Sequence, residues 1–144
     1  MAEISAKDIG LYYNSGTKAV PIWKLIACST SDGFIGSTDA VTVSNKCEAG
    51  WVKNLPGDKS WSFSNSSYAQ KVPLANQFSY NDIFDLWTND TVGWWKLESI
   101  IPGEYIRFGQ GWISDLGESA ESGDYLTFDI TITGNGPVDN LITT

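Results

Sequence analysis

The chain has no histidine, only two cysteines and only nine lysines or arginines among its 144 residues. Without histidine it lacks the usual base of nucleophile–base catalysis and the commonest nitrogen ligand for a metal. Cys28 and Cys47 cannot form a metal site by themselves. The opening segment MAEISAKDIG has no apolar core of the signal-peptide type, so assembly in a cytoplasm with reduced, unpaired thiols is expected. No apolar run is long enough to cross a membrane as a helix, and no membrane partner is expected. The glycine patterns that cradle phosphates are missing as well. Asp115, Glu118, Glu121 and Asp124 lack the spacing of an EF-hand and read as part of a solvated acidic loop. No two carboxylates are bracketed in a recognisable cleft for sugar hydrolysis. No catalytic residue, cofactor or metal is expected.

Positive charge is scarce in one half above all. Residues 1–72 carry a net +1 and residues 73–144 a net −9, within a total of −8. A protein that grips nucleic acid needs clustered lysine and arginine to neutralise phosphates, and this chain has no such cluster. Letting nucleic acid slide past without sticking is a different requirement, and an acidic chain can meet it.

What is present is a hydrophobic content of 42%, enough for one domain over residues 1–144 with a core of its own. The organising stretch is residues 41–64, VTVSNKCEAGWVKNLPGDKSWSFS. Val41 and Val43 alternate with Thr42 and Ser44, and Trp61 and Phe63 alternate with Ser60, Ser62 and Ser64, the period of two half-buried strands. The connection over residues 46–58 is long for a hairpin and carries Trp51, Val52 and Leu55. An apolar loop needs a surface to bury it, and another subunit can supply one.

Elsewhere, strands are expected over residues 8–14, 19–29, 92–101, 105–114 and 125–133, with turns at residues 14–17, 31–33 and 102–104. Residues 114–124 read as the acidic loop and residues 134–144 as a tail. One helix is expected over residues 80–89, with Ser79 and Asp82 as a capping box and Tyr80, Ile83, Phe84 and Trp87 on its buried face. The sum is an all-β chain with one short helix, an antiparallel β-sandwich or barrel of about seven strands with a long inter-strand loop. Seven tryptophans on such a fold invite a carbohydrate-binding reading. Trp23, Trp61 and Trp87 fall on covered faces, while Trp51 and one of the adjacent pair Trp94 and Trp95 are left over. A subunit contact explains them as well as a sugar does.

Read in order, the motifs resemble the major tail tube protein of long-tailed bacteriophages. An early tryptophan strand appears as Trp23-Lys24-Leu25-Ile26-Ala27-Cys28-Ser29-Thr30, followed by an aspartate-led strand ending in lysine, residues 39–46. The loop form G-W-x-x-x-L-P-G appears as Gly50-Trp51 and Leu55-Pro56-Gly57, running into Ser60-Trp61-Ser62-Phe63-Ser64. Near the end come Gly111-Trp112-Ile113-Ser114, the acidic small-residue stretch 118–124, the alternating strand 126–131 and the close Gly134-Asn135-Gly136-Pro137. The resemblance implies a β-sandwich with a flanking helix, assembled as homo-hexameric rings stacked into a hollow tube in the virion. It implies an inter-ring contact made by Lys46, Cys47, Glu48, Gly50, Trp51, Val52, Lys53, Leu55 and Pro56. Thr42, Ser44, Ser60, Ser62 and Ser64 are candidates to line the lumen. Further partners implied are the tape measure and tail terminator proteins, with DNA passing through unbound. A carbohydrate-binding module and a tube component of another phage-like particle are the competing readings.

Overall fold

The computed structural model describes residues 3–26, 29–43, 50–69, 77–101 and 103–140. After a short 3₁₀ turn at Ala6–Asp8 come β1 (Ile9–Asn14), β2 (Trp23–Ile26), β3 (Ser29–Val43), β4 (Lys53–Tyr68), β5 (Gln77–Phe78), α1 (Tyr80–Thr88), β6 (Gly93–Ser99), β7 (Ile106–Ser119) and β8 (Thr127–Asp139). The described residues form an all-β fold with one helix, as the period-two segments imply. The eight strands among them form one sheet in the order β3-β4-β8-β7-β6-β1-β2-β5. Neighbours are antiparallel except β2 and β5, which run parallel.

The sheet wraps around a single core. Leu11 and Tyr13 of β1, Trp61 and Phe63 of β4, Trp95 and Leu97 of β6, and Phe128, Ile130 and Ile132 of β8 all bury into one cluster. Alternation along each strand selects these residues, since every second side chain points to the same face. The rings of Tyr13 and Trp95 pack 4.6 Å apart, tilted by 51°, and the Trp95 indole N–H donates to the Gly111 carbonyl at 3.2 Å. Buried indole is stable here because its one polar atom has a partner.

The helix begins as its sequence dictates. Ser79 accepts from the backbone N–H of Asp82, and the Asp82 carboxylate accepts from the backbone N–H of Ser79. Its buried stripe differs from expectation. Ile83 is fully buried with Tyr80 and Leu86 packed against the core, while Phe84 and Trp87 stand 45% and 40% exposed. The helix meets the core along an i, i+3 line, so the i+4 partners of Tyr80 and Ile83 turn outward and pack on each other at 5.8 Å.

Three other expectations are corrected. Residues 31–33 make no turn: β3 runs straight through them, with Asp32 opposite Asn65 and Gly33 opposite Ser64. A Cβ at Gly33 would stand 2.9 Å from the Ser64 hydroxyl, so this glycine answers a cross-strand approach. The acidic loop shrinks to residues 120–126, because β7 continues to Ser119 opposite Thr127. Residues 134–139 are not a tail but the end of β8, paired with β7 from Gly111↔Gly134 to Phe108↔Asp139.

Candidate functional site

The feature that sets this chain apart from a closed β domain is a two-stranded arm. β8 accompanies β4 only as far as Ser62↔Thr133, then leaves it to pair with β7 alone. β3 and β4 continue together to Val43↔Lys53. Residues 53–59 of β4, beyond the buried Trp61, therefore form an arm that spans about 23 Å, at roughly 3.3 Å per residue. Residues 53–58 of the long connection over residues 46–58 are thus strand. Lys53 pairs with Val43, Leu55 with Val41 and Pro56 with Ala40. Pro56 sits beside the register shift between Thr38 and Ala40, where a residue without an N–H fits. Gly50, at φ +88, holds a left-handed conformation that favours glycine. Trp51 beside it is 78% exposed, and Val52 and Leu55 are exposed too. Ser44, Lys46, Cys47 and Glu48, like Cys28, lie outside the described residues.

Trp61 roots the arm in the body. Its indole N–H donates to the Gly136 carbonyl at 2.8 Å, and its ring lies against Phe63 at 4.9 Å. A Cβ at Gly109 would come within 2.5 Å of that ring, and one at Gly134 would overlap it. The glycine-rich close of the chain is a bed for one tryptophan. Gly134→Ala is expected to destabilise the subunit by about 1–3 kcal/mol through overpacking. A urea titration followed by tryptophan fluorescence measures it, and an unchanged midpoint would mean that the ring moves aside freely.

The hydroxyl candidates divide. Ser60, Ser62 and Ser64 share the face of β4 opposite Trp61 and Phe63, and Thr133 and Thr131 of β8 pair with Ser62 and Ser64. Asp129 opposite Ser66 and Asp115 opposite Thr131 extend this face. Thr42 lies on the arm opposite Asn54, to which its hydroxyl donates at 3.0 Å. The shift between Thr38 and Ala40 gives β4 one residue more than β3. Counted through that bulge, Thr42 stands on the other face from Ser60.

Trp94 and Trp23 share one ring, Phe108. Trp94 stacks on Phe108 at 5.0 Å and 11°, with the Lys18 ammonium 4.8 Å over its ring. Trp23 meets Phe108 edge-on at 5.8 Å, and the Lys96 ammonium stands 4.5 Å over it. Aromatic faces in use by neighbouring rings and cations are not an open platform for a sugar.

At the end of the hairpin away from its tip lies a recess of about 570 Å³ that includes Ile9, Tyr12, Leu25, Ile26, Ile100 and Asp32. Asp32 is part of an inward polar chain. Ser29 Oγ is 2.8 Å from both its carboxylate oxygens, Asn65 Nδ2 donates to Asp32 and to Ser29 Oγ, and Ser67 Oγ donates to Asn65 Oδ1 at 2.6 Å. Burial pushes the Asp32 carboxyl above its ordinary range, against the opposing pull of the hydrogen bonds from Asn65 and Ser29. Nothing in the Sequence pattern marks this group: Asp32 sits in what reads locally as a turn.

A carboxyl whose folded-state pKa is raised holds its proton longer in the native state, so its contribution to stability declines as pH rises through the carboxylate range. Asp32→Asn is expected to melt higher than the parent at pH 7, with the two converging below about pH 4. Calorimetry of the unassembled subunit checks this. A gap that is constant with pH would mean that the ionised carboxylate carries no burial cost.

No protein-family model matches the chain, and no curated protein does. Solved structures do. A chain in the virion of a native gene transfer agent particle superposes with TM-score 0.76 at 15% identity, covering 96% of this chain and 99% of that one. A chain in the SPP1 tail tube gives TM-score 0.76 at 15% identity, covering 98% of this chain and 81% of that one. The fold is the tail-tube fold. A third match, from the tail of an empty gene transfer agent particle solved with C6 symmetry, gives TM-score 0.74 at 17% identity over 96% of this chain and 99% of that one. Among the described residues, the arm lies beyond the strands of the body and β3 pairs along one side only, with β4. Among the described residues no group of three or more histidine, cysteine, aspartate or glutamate side chains is placed to hold a metal ion. No helix among them is long and apolar enough to cross a membrane.

Proposed function

We propose that the chain is the repeating subunit of a phage-type tail tube, forming six-fold rings that stack into a hollow conduit for DNA delivery. The observation that carries this is the projecting arm with an exposed apolar tip, on a subunit with the tail-tube fold. β3, fifteen residues long, is an edge of the sheet. Such an edge is a liability in a monomer, and pairing it with a neighbour in the ring removes it. Contacts between the arm of one ring and the body of the next do not close on themselves, so they propagate a filament. The role is mechanical, with no catalysis and no cofactor. The face built from Ser60, Ser62, Ser64, Thr131, Thr133, Asp115 and Asp129 suits a tube wall that repels phosphate. Tape measure and tail terminator proteins are the expected partners inside and at the end of the tube, assembled in the host cytoplasm and carried in the virion.

The gene transfer agent neighbours favour a second reading of the same kind, a tube in a phage-like particle rather than in an infectious phage. Negative-stain imaging of the purified protein over a range of concentrations tests the common class. Rings or tubes are the expected result. A monodisperse monomer retained on a glycan column would overturn it in favour of a carbohydrate-binding module.

A further inference from the structure

The tip and the recess belong to opposite ends of one strand. Asp32, in the recess, and Val43, at the tip, are separated along β3 by about 36 Å of extended chain. The arm therefore cannot fold back into the recess of its own subunit, whereas a second copy stacked head to tail brings tip to recess. The two are also matched in character. The tip presents the exposed indole of Trp51, the exposed Val52 and the exposed ammonium of Lys53. The recess offers apolar walls at Ile9, Leu25, Ile26 and Ile100, and its charged lining is Lys7, Asp8 and Asp32, net negative. Asp32 is held by hydroxyl and amide donors; among the described residues the ion pair is Lys96–Glu98, and Asp32 has no such cation.

We propose that the arm tip of one copy seats in the recess of a copy in the next ring, with Trp51 filling the apolar part and Lys53 facing Asp32. This rests on the tail-tube reading and adds to it the receiving surface. The apolar contact supplies affinity, and the charge sets the register: an indole alone can rotate in an apolar pocket, but an ammonium on the adjacent strand start fixes which way the arm lies. The carboxylate that burial makes costly in the free subunit then gains a cationic partner on assembly. Assembly would thereby satisfy a group that the subunit alone satisfies only with neutral donors.

Cross-linking within assembled protein tests the contact without altering Asp32. In a Cys28→Ser, Cys47→Ser parent that forms tubes, Val52→Cys places a thiol at the tip and Ser31→Cys places one at the rim of the recess. A short bismaleimide is expected to give a ladder of dimers, trimers and higher polymers on a denaturing gel, because every copy offers one tip and one recess. The Val52→Cys chain alone and the Ser31→Cys chain alone are expected to give no ladder. Tubes that yield no ladder, or products that stop at dimers, would overturn the docking and leave the tube function standing. A chain of native sequence that forms no tubes under any condition overturns the function itself, and the docking with it; if only the cysteine-free parent fails to assemble, the same two thiols are placed in the native chain and the Val52–Ser31 link is read by mass spectrometry of the cross-linked peptides.

Discussion

Replacing residues 38–59 by Asn-Gly is expected to leave a folded, soluble subunit that forms no tubes. The excised arm runs from Thr38↔Lys59 outward, and its described residues are exposed apart from a half-buried Gly57. The core cluster begins two pairs further in: Trp61 and Phe63 are buried and remain. Ser37 and Ser60, opposite each other in the parent, then flank a two-residue turn of the type whose twist matches antiparallel strands. The urea midpoint should stay close to that of the parent, while imaging shows rings at most. Full-length tubes from the shortened chain would mean that the arm is not the inter-ring contact. Trp51→Ala asks the same question at one side chain. Loss of a buried interface aromatic costs about 2 kcal/mol or more, which raises the critical concentration for assembly by about 25-fold or more. Unchanged assembly would return Trp51 to an ordinary surface role.

Changing Asp115 and Asp129 together to lysine is expected to allow tube assembly and to impair DNA delivery. Both carboxylates are exposed on the face that carries Ser62, Ser64, Thr131 and Thr133, so the change disturbs no buried group. In a tube with this face inward, each subunit would turn two repulsive charges into two phosphate-binding ones. Phosphate contacts accumulate ring after ring, and their strength grows as salt is lowered. Slow or incomplete ejection, worse at low ionic strength and relieved by added salt, is the expected result in particles carrying the variant. Ejection at the parental rate at every salt concentration would place this face on the outside of the tube.

The sequence alone determined what is local or compositional. The absence of histidine and of phosphate-binding glycines removed the common routes to catalysis. Alternation at Trp61 and Phe63 and from Phe128 to Ile132 named strands with the correct buried face in residues that now pack together, while Leu126, read with them, lies before β8 and outside the core. Ser79 and Asp82 fixed the helix start because a capping box is satisfied within four residues. Only the tertiary structure decided where strands end and which side of an amphipathic stripe is covered. Gly134 and Gly136 look like a chain terminus, yet Gly134 is small because the Trp61 ring lies on it, and the two are more than seventy residues apart in sequence. Asp32-Gly33 looks like a turn, yet Asn65 and Ser64 stand opposite them across the sheet. Phe84 and Trp87 share a stripe with Ile83, and the line along which the core meets the helix leaves them out. The arm follows the same rule: its length depends on where β8 abandons β4, and that is set by the bed β8 must make for Trp61. A local pattern specifies a period and a face; the extent of a strand depends on pairing with segments the pattern does not contain.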